Sequence, residues 1–562
     1  MKISRMTRVL MIVMALGGAL TAARVQAASR PAERPRLVVL IVVDQLRADY
    51  LFRWYPHFRG DGFRTLIDEG SYFENGFLSY GSSATGPGHT TIITGRLPRQ
   101  HGIIGNEWFL NEGSTEAEAS VSDPKTKMVG LAKPSDKPGQ SPWRMIGNTL
   151  GGQMKMADRR ARVFSVSLKD RAAIAMGGKR PDGAFWWKSS TGEVITSTYY
   201  MEKLPDYLEE MNRQHFADRY AGRTWNRLLS DDAYAGTQPL DEKWHESLKR
   251  YGTRFPHELP AADSKDYYDL LRATPFGNEI VFEMACRVLT NENLGLGPAT
   301  DLLCLGLSAN DYVGHAFGPD SAEVMDMTLQ TDRQLADFFG LLDARIGLDR
   351  CLIALTADHG VTSAPPVSRL HGIGADYLDL SKMVEELRAM LRKEFDVPES
   401  AGPLVLGCDI PNLYCDESFR WLDRKHDGEA SRKTIRFLLQ YPGIEAVYTA
   451  QELAGPAPSK DDVGRYEAWR CYHPERGGQF YLKLSPFWYE AGYSLAGHSA
   501  GFRSDRHIPV LLRGPGVRRA RHFEEIDAVD IAPTLATLLG IEAPINAIGR
   551  VLDEALETPT AK

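Results

Sequence analysis

LVVLIVVD, residues 37–44, is the stretch on which the fold turns. Seven consecutive apolar residues between Arg36 and Asp44 have the character of a parallel strand covered on both faces. LLCLGL (302–307) and LIAL (352–355) share it, and residues 162–167 and 508–512 are weaker runs of the same kind. Helix-like stretches stand between them, at 322–342 and 530–539. This alternation predicts an α/β fold, a central and mostly parallel sheet with helices on both faces.

Two long stretches break the alternation. Residues 180–275 are rich in Trp, Tyr and charge, and include FWWKSSTGEVITSTYY (185–200), a hairpin pattern around a Ser-Thr-Gly turn. Residues 365–495 mix a helix at 380–394 with Gly- and Pro-rich loops. Both are expected as insertions that cap the core. One α/β unit with two insertions accounts for 562 residues without three or four separate domains. The composition, 43% hydrophobic and 25% charged, excludes a disordered, collagen-like or disulfide-stapled mini-protein. A formal net charge of −7 argues against nucleic acid as a polymeric partner and against binding to anionic membranes.

Lys2, Arg5 and Arg8 precede an uncharged run at 9–23, and Val25-Gln26-Ala27 has the small-x-small form of a cleavage site. This order predicts a Sec-type signal peptide over 1–27, hence a periplasmic or secreted protein with no stable membrane anchor after cleavage. About 15 uncharged residues is short for a span of about 20. The signal holds four basic residues and no acid, so the chain beyond it is four units more negative than the whole. Residues 28–562 are then one mature domain, expected to act as a monomer. An exported compartment permits disulfides among Cys286, Cys304, Cys351, Cys408, Cys415 and Cys471. Six cysteines allow 15 full pairings, and the sequence does not choose among them.

Each of the three best strands is followed closely by an aspartate: Asp44, Asp311 and Asp358. Functional groups of open α/β sheets collect beyond the carboxyl ends of strands, so these acids should share one crevice. Three carboxylates packed together repel one another unless cations neutralise them. Histidines are placed to complete such a site. His315 follows Asp311 by four residues, one helical turn; His359 adjoins Asp358; His498 lies in a Gly-His-Ser segment. Mixed Asp and neutral His favours zinc over calcium or magnesium, and six ligands are too many for one tetrahedral ion but suit two. SSATGPGHTTIIT (82–94) adds a nucleophile candidate. Its Gly-Pro-Gly allows a tight turn, which places Thr85 near a helix N-terminus that favours an anion. An adjacent zinc ion would activate the hydroxyl.

At this point the chain resembles the alkaline phosphatase superfamily, most closely the bacterial phosphate-irrepressible type with a threonine nucleophile. The resemblance rests on VVDQ (42–45), TGPGH (85–89), HGIIGNEW (101–108), SLKDR (167–171), NDYVGH (310–315), TADHG (356–360), Gly497-His498 and DIAPTLA (530–536). It implies two zinc ions, one held by Asp311, His315 and His498, the other by Asp44, Asp358 and His359 with the Thr85 oxygen. It implies in-line attack by Thr85, a phospho-threonine, and its hydrolysis with the metal roles reversed. Asn106, Lys169 and Arg171 would contact the non-bridging oxygens of a phosphate monoester, a dianion that needs such donors. Sulfatases require a Cys or Ser in a Cys/Ser-x-Pro-x-Arg sequence, whereas Thr85-x-Pro87-x-His89 stands here. No local motif for a third, magnesium site is present. Small phosphate esters are thus the expected substrates. A phosphodiesterase or nucleotide pyrophosphatase on the same fold, a mixed mono- and diesterase, and a non-catalytic phosphate- or glycan-binding surface protein are the alternatives.

Overall fold

A computed structural model describes residues 34–110, 116–492, 494–498 and 500–557. The expected signal peptide lies outside the described residues. The run at 37–43 is strand β1 (Leu37–Val43). Its side chains alternate between the two faces of the pleat and all seven are fully buried, so both faces of the sheet are covered. Around it stand β2 (Ser71–Phe77), β3 (Val163–Ser167), β4 (Gly183–Lys188), β5 (Glu193–Ser197), β6 (Asp301–Leu307), β7 (Cys351–Thr356) and β8 (His507–Arg513). Their order across the sheet is β2-β8-β7-β1-β6-β3-β4-β5, with short strands at Ala520–His522 and Met128–Val129 closing the edges. The five strands β7-β1-β6-β3-β4 are all parallel, in register from Leu37 opposite Asp301 on one side and Cys351 on the other.

Two departures from the sequence reading concern the sheet's flanks. The run at 508–512 is a buried strand, but it pairs antiparallel to β7. The chain reaches it from residues 365–495 instead of through a crossover helix, so nothing forces the parallel sense. The Ser-Thr-Gly hairpin also forms, as β4 and β5, yet it does not stand apart from the core: β4 pairs with β3 and lengthens the main sheet. The aromatic residues that marked it serve this packing, with Phe185, Trp186 and Trp187 all buried.

Residues within 365–495 build a second sheet of four antiparallel strands, Val405–Asp409, Asn412–Cys415, Phe480–Leu484 and Ile444–Thr449. Helix Leu380–Phe395 turns Met383, Val384, Leu387 and Leu391 into the separate apolar core this sheet encloses. All six cysteines are free thiols, and Cys304 and Cys351 are buried in β6 and β7. Among the described residues no helix is long and apolar enough to cross a membrane.

Candidate active site

The parallel strands all end on the same side, and the chemistry gathers there. Asp44 directly follows β1. Beyond β6, helix Ala309–Phe317 carries Asp311 and His315 on one face. Asp358 and His359 follow β7, and His498 comes from the loop ahead of β8. Two trios result, Asp311 with His315 and His498, and Asp44 with Asp358 and His359. Within each trio the ligand-capable atoms lie within 4.8 Å of one another.

The second nitrogen of each histidine explains why these groups face one another. His359 Nδ1 is 2.9 Å from the Gly360 carbonyl, His315 Nδ1 is 2.8 Å from the Ala496 carbonyl, and His498 Nδ1 is 2.5 Å from the Ser83 carbonyl. A carbonyl accepts only, so each Nδ1 carries the proton and each Nε2 presents a lone pair. His359 Nε2 lies 3.4 Å from Asp44 Oδ1 and 3.5 Å from Asp358 Oδ2, with no hydrogen between them. His315 Nε2 lies 3.2 Å from both Asp311 Oδ1 and His498 Nε2. Asp44 Oδ1 and His359 Nε2 are buried without a hydrogen-bond partner. Lone pairs converging at such range repel unless a cation sits among them, so the residues of each trio fit a divalent metal ion. Burial, with His498 beside it, holds His359 well below the usual histidine range, in the neutral form that ligates.

Lys169 stands between the trios. Its Nζ is 2.6 Å from Asp44 Oδ2, 2.6 Å from Asp311 Oδ2, and donates to Thr85 Oγ1 at 3.2 Å. Burial alone would lower this ammonium, but Asp311 and Asp44 outweigh it and hold it above its ordinary value. Burial and the neighbouring Asp358 raise Asp44 to about 6 despite Lys169. Asp311 goes the other way: burial opposes its ionisation, yet His315, when protonated, and Lys169 hold it well below the carboxylate range.

Thr85 is the first residue of helix Thr85–Thr94 and is 1% exposed. The Gly-Pro-Gly segment, expected as a turn, is helical. Pro87 falls in the first turn, where its missing N–H would have no intrahelical acceptor. Gly88 is required by a close approach, since a Cβ there would sit 2.2 Å from the Asp358 carbonyl oxygen. The helix thereby presses Thr85 against the loop that bears Asp358 and His359. Asn106 Oδ1 accepts the Gly86 N–H at 2.9 Å, which leaves its Nδ2 as the donor available to a ligand. Thr85, Asn106, Arg171, Asp311, His315 and His498 line one cavity of about 440 Å³, with Lys169 buried beneath. Glu107, Asp409 and Glu490 line the same cavity. The structure therefore brings all ten candidate residues to one place.

Gln45 and His89, which the sequence offers only as members of VVDQ and TGPGH, also belong to the site. Gln45 has a left-handed backbone, φ 65°, unusual outside glycine. There its Nε2 donates to Asp311 Oδ1 at 2.7 Å and its N–H to Asp358 Oδ1 at 3.2 Å, so one residue orients a ligand of each trio. His89, fully buried, places Nδ1 2.9 Å from the Thr85 carbonyl and 3.1 Å from Asp358 Oδ2. The helical spacing from Thr85 to His89 was the available signal for the second; the first had none beyond its position after Asp44.

Comparison with known proteins agrees with this geometry. Residues 38–447 match the family model of type I phosphodiesterases and nucleotide pyrophosphatases. Alkaline phosphatase PhoV of Synechococcus elongatus is 34% identical over 530 residues, 93% of this chain and 93% of that one. Alkaline phosphatase PafA of Elizabethkingia meningoseptica is 33% identical over 531 residues, 93% of this chain and 95% of its own. The crystal structure of wild-type PafA superposes with a TM-score of 0.84 at 30% identity, covering 94% of this chain and all of that one. A PafA mutant of known structure replaces one threonine, one asparagine, one lysine and one arginine. The chain belongs to the type I phosphodiesterase / nucleotide pyrophosphatase family, within the alkaline phosphatase superfamily.

Proposed function

We propose that this phosphate monoester hydrolase works through Thr85 as nucleophile, with two zinc ions held by Asp311, His315 and His498 and by Asp44, Asp358 and His359. The observation that carries the reading is the pair of lone-pair trios on either side of the Thr85–Lys169 contact, with Thr85 and the trio of Asp311, His315 and His498 lining one cavity. The four residue types replaced in the PafA mutant are those found here at Thr85, Asn106, Lys169 and Arg171. When bound, the two ions supply Lewis acidity at the attacking and leaving oxygens of an in-line displacement.

The chain's own groups do the rest. The Thr85 oxygen attacks phosphorus as its proton passes to solvent; the bond from phosphorus to the ester oxygen breaks, the alcohol departs with a proton from water, and a phospho-threonine remains. Lys169, held protonated, cannot take the Thr85 proton; it favours the alkoxide and the equatorial phosphoryl oxygens by charge. Arg171 and the Asn106 amide donate to those oxygens from the cavity wall. Water then releases phosphate from Thr85. The substrate class is small phosphate monoesters, because buried positive charge beside the nucleophile favours a dianion over a diester. The proposal includes export with loss of residues 1–27, and residues 28–562 as a monomeric, unanchored catalytic chain in the periplasm or outside the cell. Within it, 180–275 and 365–495 are insertions into the catalytic core.

The test is kinetic. Purified protein, as prepared, stripped with chelator and reloaded with zinc, is assayed on an aryl phosphate and its methyl diester, alongside Thr85→Ala. The expected result is preference for the monoester, loss on stripping, recovery on reloading, and loss of at least about 1000-fold in Thr85→Ala. Equal kcat/KM for the two esters would refute the monoester assignment, and an active Thr85→Ala would refute the nucleophile.

A further inference from the structure

His498 is the one ligand candidate that does not follow a sheet strand or ride on a helix. Its ring is fixed at one end by Nδ1, 2.5 Å from the Ser83 carbonyl, two residues ahead of Thr85. Its backbone lies in the segment 494–498, and other parts of the fold hold that segment. The Leu495 N–H donates to the His315 carbonyl at 3.0 Å, and the Gly497 carbonyl accepts from the Thr362 N–H at 3.1 Å.

Two phenols from the large insertion complete the support. Residues Tyr377–Leu378 and Tyr489–Glu490 form a parallel strand pair in which Tyr377 stands opposite Tyr489. The rings pack edge to face, 5.2 Å between centroids. The Tyr377 hydroxyl donates to the Leu495 carbonyl at 3.0 Å. The Tyr489 hydroxyl donates to the same carbonyl and lies 3.2 Å from that of Ser494. The Tyr489 ring also covers Gly497, where a Cβ would meet ring carbons at 3.0 Å and 3.1 Å. Tyr489 is 5% exposed and lines the substrate cavity.

We propose that Tyr377 and Tyr489 are positioning residues that clamp the 494–497 backbone and thereby set His498 as a metal ligand. The insertion is then part of the metal site's support and not only its cover. Outer groups that orient ligands commonly change metal affinity by about 10- to 100-fold when removed. Burial pushes Tyr377 up to about 12 and Tyr489 well above its ordinary value, so both phenols keep the protons they donate in alkaline solution.

The inference rests on the reading of both trios as zinc sites, and the experiment separates the two. Full-length mature wild type, the double variant Tyr377→Phe/Tyr489→Phe, Gly497→Ala and His498→Ala are dialysed against buffers of fixed free zinc, and bound zinc is counted per chain. Wild type should hold two ions. The double variant and Gly497→Ala should each need about 10- to 100-fold more free zinc to fill one site, with the other unchanged. His498→Ala marks which site that is, and the phenylalanine rings preserve the packing, so melting of the stripped protein should barely move. Two ions held by the double variant as tightly as by wild type would overturn the clamp alone. A wild type that takes up no zinc would overturn the zinc reading and the clamp with it.

Discussion

Replacing Lys169 by methionine keeps the stem but removes the cation lying 2.6 Å from Asp44 and Asp311. In chelator-stripped protein, Asp44, Asp311 and Asp358, all 2% exposed or less, then face one another without it. Breaking a buried ion pair from one side costs about 3–5 kcal/mol. The entropy of unfolding is about 2.1 cal/mol/K per residue, or about 1.2 kcal/mol/K for a chain of this length, so the stripped variant should melt about 3–4 °C below stripped wild type. With zinc bound, the same carboxylates are already neutralised, and the gap should shrink to about 1 °C or less. Activity should behave oppositely: the loaded variant is well folded yet loses about 100- to 1000-fold in kcat/KM for a monoester. Scanning calorimetry of both proteins in both metal states reads the first pair of numbers, and steady-state kinetics the second. The same melting gap in stripped and loaded protein would mean that Lys169 is a packing residue, and the charge argument would fail.

Two further outcomes follow from groups near the cavity. Burial and the facing Glu107 raise Glu490 to about 7 from 4.5. The native state therefore holds this proton longer than the unfolded chain, and stability falls as pH rises from about 4.5 to about 7. Glu490→Gln should melt with wild type below that window and above it by a constant margin at pH 8; parallel curves throughout would show that Glu490 is not the group. A Cβ at Gly314 would sit 1.7 Å from Gln45 Oε1. Gly314→Ala should displace Gln45 from Asp311 and weaken zinc binding by about tenfold, and adding Gln45→Ala should weaken it no further; undiminished zinc binding in the single variant would remove Gln45 from the site.

Much of the core could be read from the sequence because parallel strands buried on both faces must be apolar throughout. That is how 37–43, 302–307 and 352–355 announced both their place and the acids behind them. Strand β2 escaped because Glu74-Asn75-Gly76 interrupts it; the register shifts there, between Phe73 and Gly76. The hairpin's aromatics read as part of a cap, although they pack against the main sheet, because burial against a neighbouring strand and burial within a cap leave the same composition. The site residues with side-chain chemistry could be found. Their supports could not, since Ser83, Gly360 and Ala496 act through backbone carbonyls, which carry no signature in the side-chain code. Tyr377 and Tyr489 lie in a stretch whose pairing exists only in three dimensions.

The two trios also differ in when the growing chain can complete them. Asp44, Asp358 and His359 are all present once the first two-thirds of the polypeptide has been made. Asp311 and His315 must wait for His498, far closer to the end. A chain delivered from its N-terminus therefore possesses one full set of ligands while the other is still a pair, and truncation anywhere in the large insertion yields a protein with at most one complete set. The spacing of ligands along the sequence thus imposes an order of assembly on a centre whose two halves stand side by side in the finished molecule.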